Sequence, residues 1–381
     1  MTPPPSGAIL PPATLGMLGG GQLGRFFVLA ARQMGYRVVV LDPDPGSPAG
    51  ALADHHLVAD YTDRAALDEI AARCAAITTE FENVPADSLV HLARSRRIAP
   101  SAECVAIAQD RIREKAAIAA HGLPLGAYAP IHAAADLERA GLYPAVLKRA
   151  RYGYDGKGQA RVAGIDEARA AWEAFGRAPC VLERFIPLQC EVSVVVARGS
   201  DGAALAFPVA ENRHRAGILD VSIVPCGLPT ALAEEARDMA VRLARALDYV
   251  GVLGVEYFVS EGRLLVNEIA PRPHNSGHYT IEACATSQYV QQLRALCGLP
   301  LGDARLLTPA VMVNVLGDVW RGAEPDWSVV LGEPRAHLHL YGKAEARPGR
   351  KMGHFTVLDA ERERALAAAL ALRTRLGIGD D

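Results

Sequence analysis

VGVLGVEYFVSEGRLLVNEIAPRPHNSGH, residues Val250–His278, holds two apolar runs around one polar turn. Val250–Val259 and Leu264–Ile269 flank Glu261-Gly262-Arg263, the pattern of an antiparallel hairpin with a three-residue loop. That loop pairs Ser260 with Leu264, Phe258 with Val266, and Glu256 with Glu268. Like charges facing each other across a hairpin are destabilising, and apolar neighbours screen them poorly. A divalent cation relieves the conflict, and carboxylate oxygens completed by water and nucleotide phosphates describe magnesium. A different register, protonation of one acid, or an arginine partner would relieve it too. From Asn267 to His278 the chain is too polar and turn-rich to be core, and a loop of this kind beside a metal site holds substrate groups. His274 and His278 sit on a loop begun by proline rather than on the helix of an HExxH site, which argues against zinc.

On the N-terminal side of this hairpin, Lys148 ends a strand and Tyr152-Gly153-Tyr154-Asp155-Gly156-Lys157-Gly158 follows it. Glycines let backbone amides approach a ligand, and two lysines at this spacing meet phosphate oxygens. A plain glycine-rich hairpin with solvated lysines fits the same residues. No Gly-Lys-Ser/Thr opens a helix, so this is not a Walker loop. On the C-terminal side, Lys343, Arg347, Arg350, Lys351 and His354 crowd around the Pro348-Gly349 turn. They suit a phosphate monoester, or else form a solvated basic tip. Near the start, Gly19-Gly20-Gly21-Gln22-Leu23-Gly24 follows a strand, and Asp42 ends the next one. The pattern matches a dinucleotide fingerprint, yet physically it offers only backbone N–H groups at a helix N-terminus.

Around these motifs the chain alternates strand and helix as far as residue 109, with Thr14–Leu18, Gln22–Met34, Arg37–Leu41, Asp54–Ala59, Arg64–Arg73 and Ala75–Thr78. This predicts a doubly wound α/β domain over residues 13–109 after a disordered leader, 1–12, with five prolines. Asp110 caps a helix to Ala120, and a β-rich α+β region follows over 110–305. Its strands are Ala145–Lys148, Ala160–Val162, Cys180–Glu183, Glu191–Ala197 and Leu205–Val209, with helices near Glu167–Phe175, Ala231–Leu247 and Ile281–Cys297. Residues 306–381 read as a small β-rich unit closed by a helix. The 381 residues carry a net charge of −3, which gives no general pull toward nucleic acid or anionic membrane. No apolar run reaches the roughly 20 residues of a membrane helix. The seven cysteines lack CxxC spacing and read as reduced thiols of a cytoplasmic protein.

GGGQLGR (Gly19–Arg25), TTEFENVP (Thr78–Pro85), QDR (Gln109–Arg111), GYDGKGQ (Gly153–Gln159), VLERFI (Val181–Ile186), NEIAPRPHNSGHYT (Asn267–Thr280) and YGKAEARPGRKMGH (Tyr341–His354) occur in this order. Together they resemble the ATP-grasp superfamily and, within it, the 5-(carboxyamino)imidazole ribonucleotide synthetases of purine synthesis. Tyr152 stands where that family often has glycine.

The resemblance implies an ATP-grasp fold with a lid subdomain at about 123–187, and ATP-dependent carboxylation of aminoimidazole ribonucleotide by bicarbonate through carboxyphosphate. It implies that Arg111 and Lys148 contact ATP phosphates under a loop of Gly153, Tyr154, Asp155, Gly156, Lys157 and Gly158. Glu183, Arg184, Phe185 and Ile186 would bracket adenine, Glu191 would hold the ribose, and His214 and Asn267 would be further nucleotide contacts. Glu256 and Glu268 would bind Mg2+. Tyr154, Asp155, Arg272 and His274 would surround the aminoimidazole, with Asp155, Arg272 and His274 catalytic and Asp155 guiding the amine proton. Lys343, Arg350 and Lys351 would clamp the ribotide phosphate, with Gln22 and Glu82 at the cleft edge. A homodimer is implied, and neither nucleic acid nor membrane is a partner. Alternatives are a formate-dependent ATP-grasp formyltransferase, an NAD-dependent Rossmann oxidoreductase, and a nucleotide-binding protein without turnover.

Overall fold

The computed structural model describes residues 7–153 and 158–379, so Tyr154, Asp155, Gly156 and Lys157 lie outside the described residues. The chain begins with β1 (Thr14–Leu18), α1 (Gln22–Gln33), β2 (Arg37–Leu41), β3 (His55–Leu57), α2 (Arg64–Arg73), β4 (Ala76–Thr79), α3 (Ala86–Ala93) and β5 (Arg97–Ile98). The five strands form a parallel sheet in the order β3-β2-β1-β4-β5. Central strands buried on both faces read as continuous apolar runs, and Val38–Leu41 and Ala76–Thr79 are buried throughout. Gly35 has φ +85°, the left-handed residue that ends α1.

Of the expected disordered leader, the described residues 7–12 are held in place. Ile9 N–H donates to Cys297 O and Ile9 O accepts from Tyr36 OH, both at 2.8 Å, while its side chain packs on the apolar cluster beneath. Pro11 and Pro12 do not prevent this short segment from docking when one apolar residue and two hydrogen bonds to its main chain hold it.

Next come α4 (Ala102–Ala108) and α5 (Arg111–Ala120), the latter capped by Asp110, which accepts from Ile112 and Arg113 N–H. A four-stranded antiparallel sheet follows, from β6 (Tyr128–Ile131), β7 (Ala145–Arg149), β8 (Gln159–Val162) and β9 (Cys180–Arg184), in the order β6-β9-β7-β8. It is backed by α6 (Ala134–Ala140) and α7 (Ile165–Ala174).

The largest sheet starts with β10 (Cys190–Arg198), β11 (Ala204–Ala206), β12 (Ala210–Arg215) and β13 (Ile218–Val224). After α8 (Thr230–Ala246) it continues with β14 (Gly251–Ser260) and β15 (Arg263–Ala270). Beyond α9 (Thr280–Ala283) and α10 (Gln288–Leu296), the C-terminal segment supplies β16 (Ala310–Leu316), α11 (Ser328–Leu331), β17 (Ala336–Leu340), β18 (Lys351–Leu358) and α12 (Arg362–Arg375). The order is β15-β14-β10-β12-β13-β16-β18-β17, so the C-terminal strands extend one sheet rather than build another. Ala236, Met239 and Leu243 of α8 pack on Val194, Val196 and Leu253, while Ala365, Ala369 and Leu372 of α12 pack on Val311, Val313 and Phe355.

Three sequence expectations are corrected here. Leu205–Val209 is strand only over β11, and the polar run Glu-Asn-Arg-His-Arg, which shows no apolar alternation, forms β12 because it lies in the middle of the sheet. The helix expected over Ile281–Cys297 is broken at 284–287, where Ser287 starts a new helix by accepting from Val290 N–H. The hairpin has a two-residue loop, with Glu261 (φ +50°) and Gly262 (φ +70°) both left-handed, as a type I′ turn requires. Ser260 therefore faces Arg263 and Tyr257 faces Val266, one residue off the expected register. A bulge next to Tyr257 absorbs one extra residue, and Glu256 faces Glu268 as expected.

Candidate active site

A cleft of about 1220 Å³ opens where the three sheets meet, and it gathers residues from widely separated parts of the chain. From the N-terminal domain and α5 come Gln22, Glu82 and Arg111. The four-stranded sheet and its loops contribute Lys148, Gly153, Glu183, Arg184, Phe185 and Ile186. Glu191, His214, Glu256, Asn267 and Glu268 project from the large sheet, and Arg272 and His274 from the loop after it. Lys343, Arg350 and Lys351 close the far end. Of the expected site residues that are described, Gly158 alone does not line this cleft.

The part of the cleft beside the four-stranded sheet is arranged for a polyanion. Glu183 joins two lysines, Lys148 Nζ at 3.1 Å and Lys115 Nζ at 3.3 Å. Burial works to raise the pKa of that carboxyl, but Lys148, Lys115 and Arg111 together hold it below the usual range. Glu183 thus aims Lys148 into the cleft. Lys115 was missed in the sequence, although it lies four residues after Arg111 and so on the same face of α5. Phe185, Ile186 and Phe258 supply apolar walls, and the Arg161 guanidinium lies 5.3 Å from the Phe185 ring.

The acid pair stands at the middle. Arg111 donates to Glu268 Oε2 at 2.7 Å, and His274 Nε2 lies 3.1 Å from Glu256 Oε1. Burial opposes ionisation of Glu268, yet Arg111 and Lys148 outweigh it and hold the carboxyl well below the usual range. Each contact engages one oxygen, so the second oxygen of each acid is the one a cation would take. Among the described residues there is no group of three or more His, Cys, Asp or Glu set to hold a metal. A cation on Glu256 and Glu268 would complete its shell with water and phosphate oxygens, which fits magnesium. His214 Nδ1 lies 3.3 Å from Glu191 Oε1, and although burial lowers its pKa, the bond to Glu191 and the nearby acids leave it raised. Glu114, also missed, accepts from Ile269 N–H at 2.6 Å, and burial pushes its carboxyl up to about 7.

At the other end Arg272 Nε donates to Glu82 Oε2 at 2.6 Å; burial works to raise the carboxyl's pKa, but Arg272 holds it below the usual range. Lys343 donates to Lys351 O at 2.7 Å and Arg350 to Glu345 O at 2.8 Å, which fixes both stems beside the cleft. His354 is not part of this basic cluster. It is fully buried and stacks on His278 at 4.2 Å, with Tyr341 OH between their ring nitrogens. Asn275 lines the cleft with a buried carboxamide whose two polar atoms have no partner among the described residues. The polar, turn-rich pattern marks this loop without singling out Asn275 within it.

The glycine turn is filled by the protein itself. Asp42 Oδ2 accepts from Gly20 N–H at 2.6 Å, and Glu80 accepts from Gly21 and Gly24 N–H. A Cβ on Gly21 would lie 2.4 Å from Glu80 Oε1. A pyrophosphate meets two carboxylates here instead of open amides, which removes the dinucleotide reading.

Family models match the chain in three consecutive parts. They are a ribonucleotide synthetase preATP-grasp domain over residues 12–109, an ATP-grasp domain over 116–289, and a phosphoribosylaminoimidazole carboxylase C-terminal domain over 310–368. The chain is 44% identical over 354 residues to the N5-carboxyaminoimidazole ribonucleotide synthase of Bacillus subtilis, covering 92% of each. A solved N5-carboxyaminoimidazole ribonucleotide synthetase in complex with ADP is 42% identical, with TM-score 0.91, covering 97% of this chain and 98% of that one. The Aspergillus clavatus N5-carboxyaminoimidazole synthase in complex with ADP and 5-aminoimidazole ribonucleotide is 33% identical, with TM-score 0.89, covering 96% of this chain and 99% of that one.

Proposed function

The chain belongs to the N5-carboxyaminoimidazole ribonucleotide synthase family and is an ATP-grasp ligase, and from that premise we propose that it carboxylates the amine of aminoimidazole ribonucleotide with bicarbonate and ATP. The observation that carries this reading is that one cleft gathers three chemistries. Lys148 and Arg111, the Glu256–Glu268 pair with Arg111 on Glu268, and Arg272 with Lys343, Arg350 and Lys351 all line it.

A bicarbonate oxygen attacks the γ-phosphorus of ATP, ADP departs, and carboxyphosphate forms. The ribotide amine then takes the carboxyl carbon, phosphate departs, and the amine loses a proton. Arg111 and Lys148 neutralise the charge that develops on the transferred phosphoryl group, a step that needs positioning and electrostatics more than covalent help. Glu256 and Glu268 would hold Mg2+, which when bound supplies positive charge to the nucleotide phosphates. Arg272, with a permanently charged fork, stands with His274 beside the aminoimidazole where the carboxyl is transferred, and Lys343, Arg350 and Lys351 bind the ribotide phosphate. Asp155, outside the described residues, is assigned the amine proton. A cytoplasmic homodimer belongs to the same proposal.

The test is ADP release measured with and without ribotide and bicarbonate. Release that needs both substrates, and that collapses in Glu268→Gln, supports the reading. Release supported equally by formate, or unaffected by ribotide, contradicts it.

A further inference from the structure

A line of hydrogen-bonded side chains leaves the cleft at His274 and runs inward across three strands. His274 Nδ1 lies 2.7 Å from Ser276 Oγ, and Ser276 Oγ lies 2.7 Å from Ser193 Oγ. Asn212 Nδ2 donates to Ser193 Oγ at 2.8 Å, and Asn212 Oδ1 accepts from Ser222 Oγ at 2.8 Å. Ser276 and Ser222 are fully buried, and His274, at 8% exposed, is the most accessible member.

The line has one self-consistent direction. It starts from the Ser276 main-chain N–H, which can only donate and points at His274 Nδ1 at 3.4 Å, so Nδ1 is an acceptor and the ring hydrogen sits on Nε2, which faces Glu256 Oε1 at 3.1 Å. The Ser276 hydroxyl then donates to Nδ1 as well. The Ser276 oxygen accepts from Ser193, Ser193 from the Asn212 amide, and the Asn212 oxygen from Ser222. Every donor meets one acceptor.

The ring has little other freedom. His274 N–H donates to Gln288 Oε1 and His274 O accepts from Gln288 Nε2, both at 2.8 Å. A Cβ on Gly254 would lie 2.9 Å from His274 Cβ, so the residue sits directly against β14.

We propose that Ser276, Ser193 and Asn212 are positioning residues that lock His274 in the tautomer with hydrogen on Nε2. His274 then meets the reactants as a hydrogen-bond donor to a carboxylate or carboxyl oxygen, and not as the base for the ribotide amine. What it donates to rests on the carboxylation reading above, whereas the tautomer does not.

The tautomer is read by nitrogen-15 spectroscopy of imidazole-labelled, substrate-free enzyme near neutral pH, the ring being identified by signals absent in His274→Gln. Hydrogen on Nε2 alone is expected, and hydrogen on Nδ1 overturns the proposal. In a ribotide-dependent assay, Ser276→Ala and Ser193→Ala should each lower turnover about 10–100-fold, as loss of support behind a site residue commonly does. In a His274→Gln background the same substitutions should change turnover by less than about twofold, because they act through that ring. Ser193→Thr keeps the hydroxyl and should retain turnover within about threefold of the parent. Equal losses in both backgrounds would mean that the serines merely support the fold, and would overturn the proposal. If the parent shows no ribotide-dependent turnover, the reaction assigned above fails while the spectrum still decides the tautomer.

Discussion

Two pairs of acids stand in this molecule, and their partners separate structure from chemistry. Asp42 and Glu80 are answered by the amides of Gly20, Gly21 and Gly24 and by Tyr61 OH, groups fixed by the main chain or by packing. Glu256 and Glu268 are answered by His274 and Arg111, side chains that present one contact each at the wall of a cleft. An acid whose oxygens are filled by backbone donors stiffens a turn. An acid opposed by another acid and held by one side-chain contact is ready to take a cation.

The largest effect that sharpens this contrast is on catalysis. Glu268→Gln should lower turnover roughly 10²–10³-fold, about 3–4 kcal/mol of barrier, with little change in Tm. A loss of folding instead would place Glu268 with the structural pair. Glu80→Ala should do the reverse and cost about 2–3 kcal/mol of stability by orphaning buried N–H groups, with turnover per folded molecule within about tenfold of the parent. Denaturant titration alongside the ADP assay checks both.

The fold was legible wherever local pattern and tertiary context agreed. Val38–Leu41 and the Asp110 cap lie where the sequence puts them, and the expected Glu256–Glu268 pairing holds. That pairing survives an error in the loop because the type I′ turn and the bulge displace the register in opposite senses. What could not be read was what distant residues do to one another. GGGQLG resembles an open anion site until Glu80, 59 residues beyond Gly21, occupies it. β12 lacks a strand pattern because its side chains serve the cleft and the line behind His274. Lys115 was hidden because its partner, Glu183, comes from another sheet.

Smaller effects refine the same contrast. Lys115→Met should free Glu183 to hold Lys148 alone and raise the KM for ATP about tenfold, roughly 1.4 kcal/mol, with turnover nearly unchanged at saturation. The buried rings of His278 and His354 stay uncharged because burial pushes their pKa well below the ordinary value. The unfolded chain takes up protons there, so stability is present above about pH 6.5 and falls as pH drops, by about 1.4 kcal/mol per unit for each ring. Glu114, pushed up to about 7, works in the opposite sense and stabilises as pH falls below that value. The difference between parent and His354→Phe isolates one ring, and the pH slope of the variant between 6.5 and 5 should be shallower by about that amount.

The most direct measurement is a crystal structure of this chain with magnesium and ADP. The phosphates should lie beside Lys148 and Arg111, with the cation on Glu256 and Glu268 and the Gly20 and Gly21 amides still held by Asp42 and Glu80. Phosphates on the Gly19–Gly24 turn, with Glu256 and Glu268 untouched, would contradict the account.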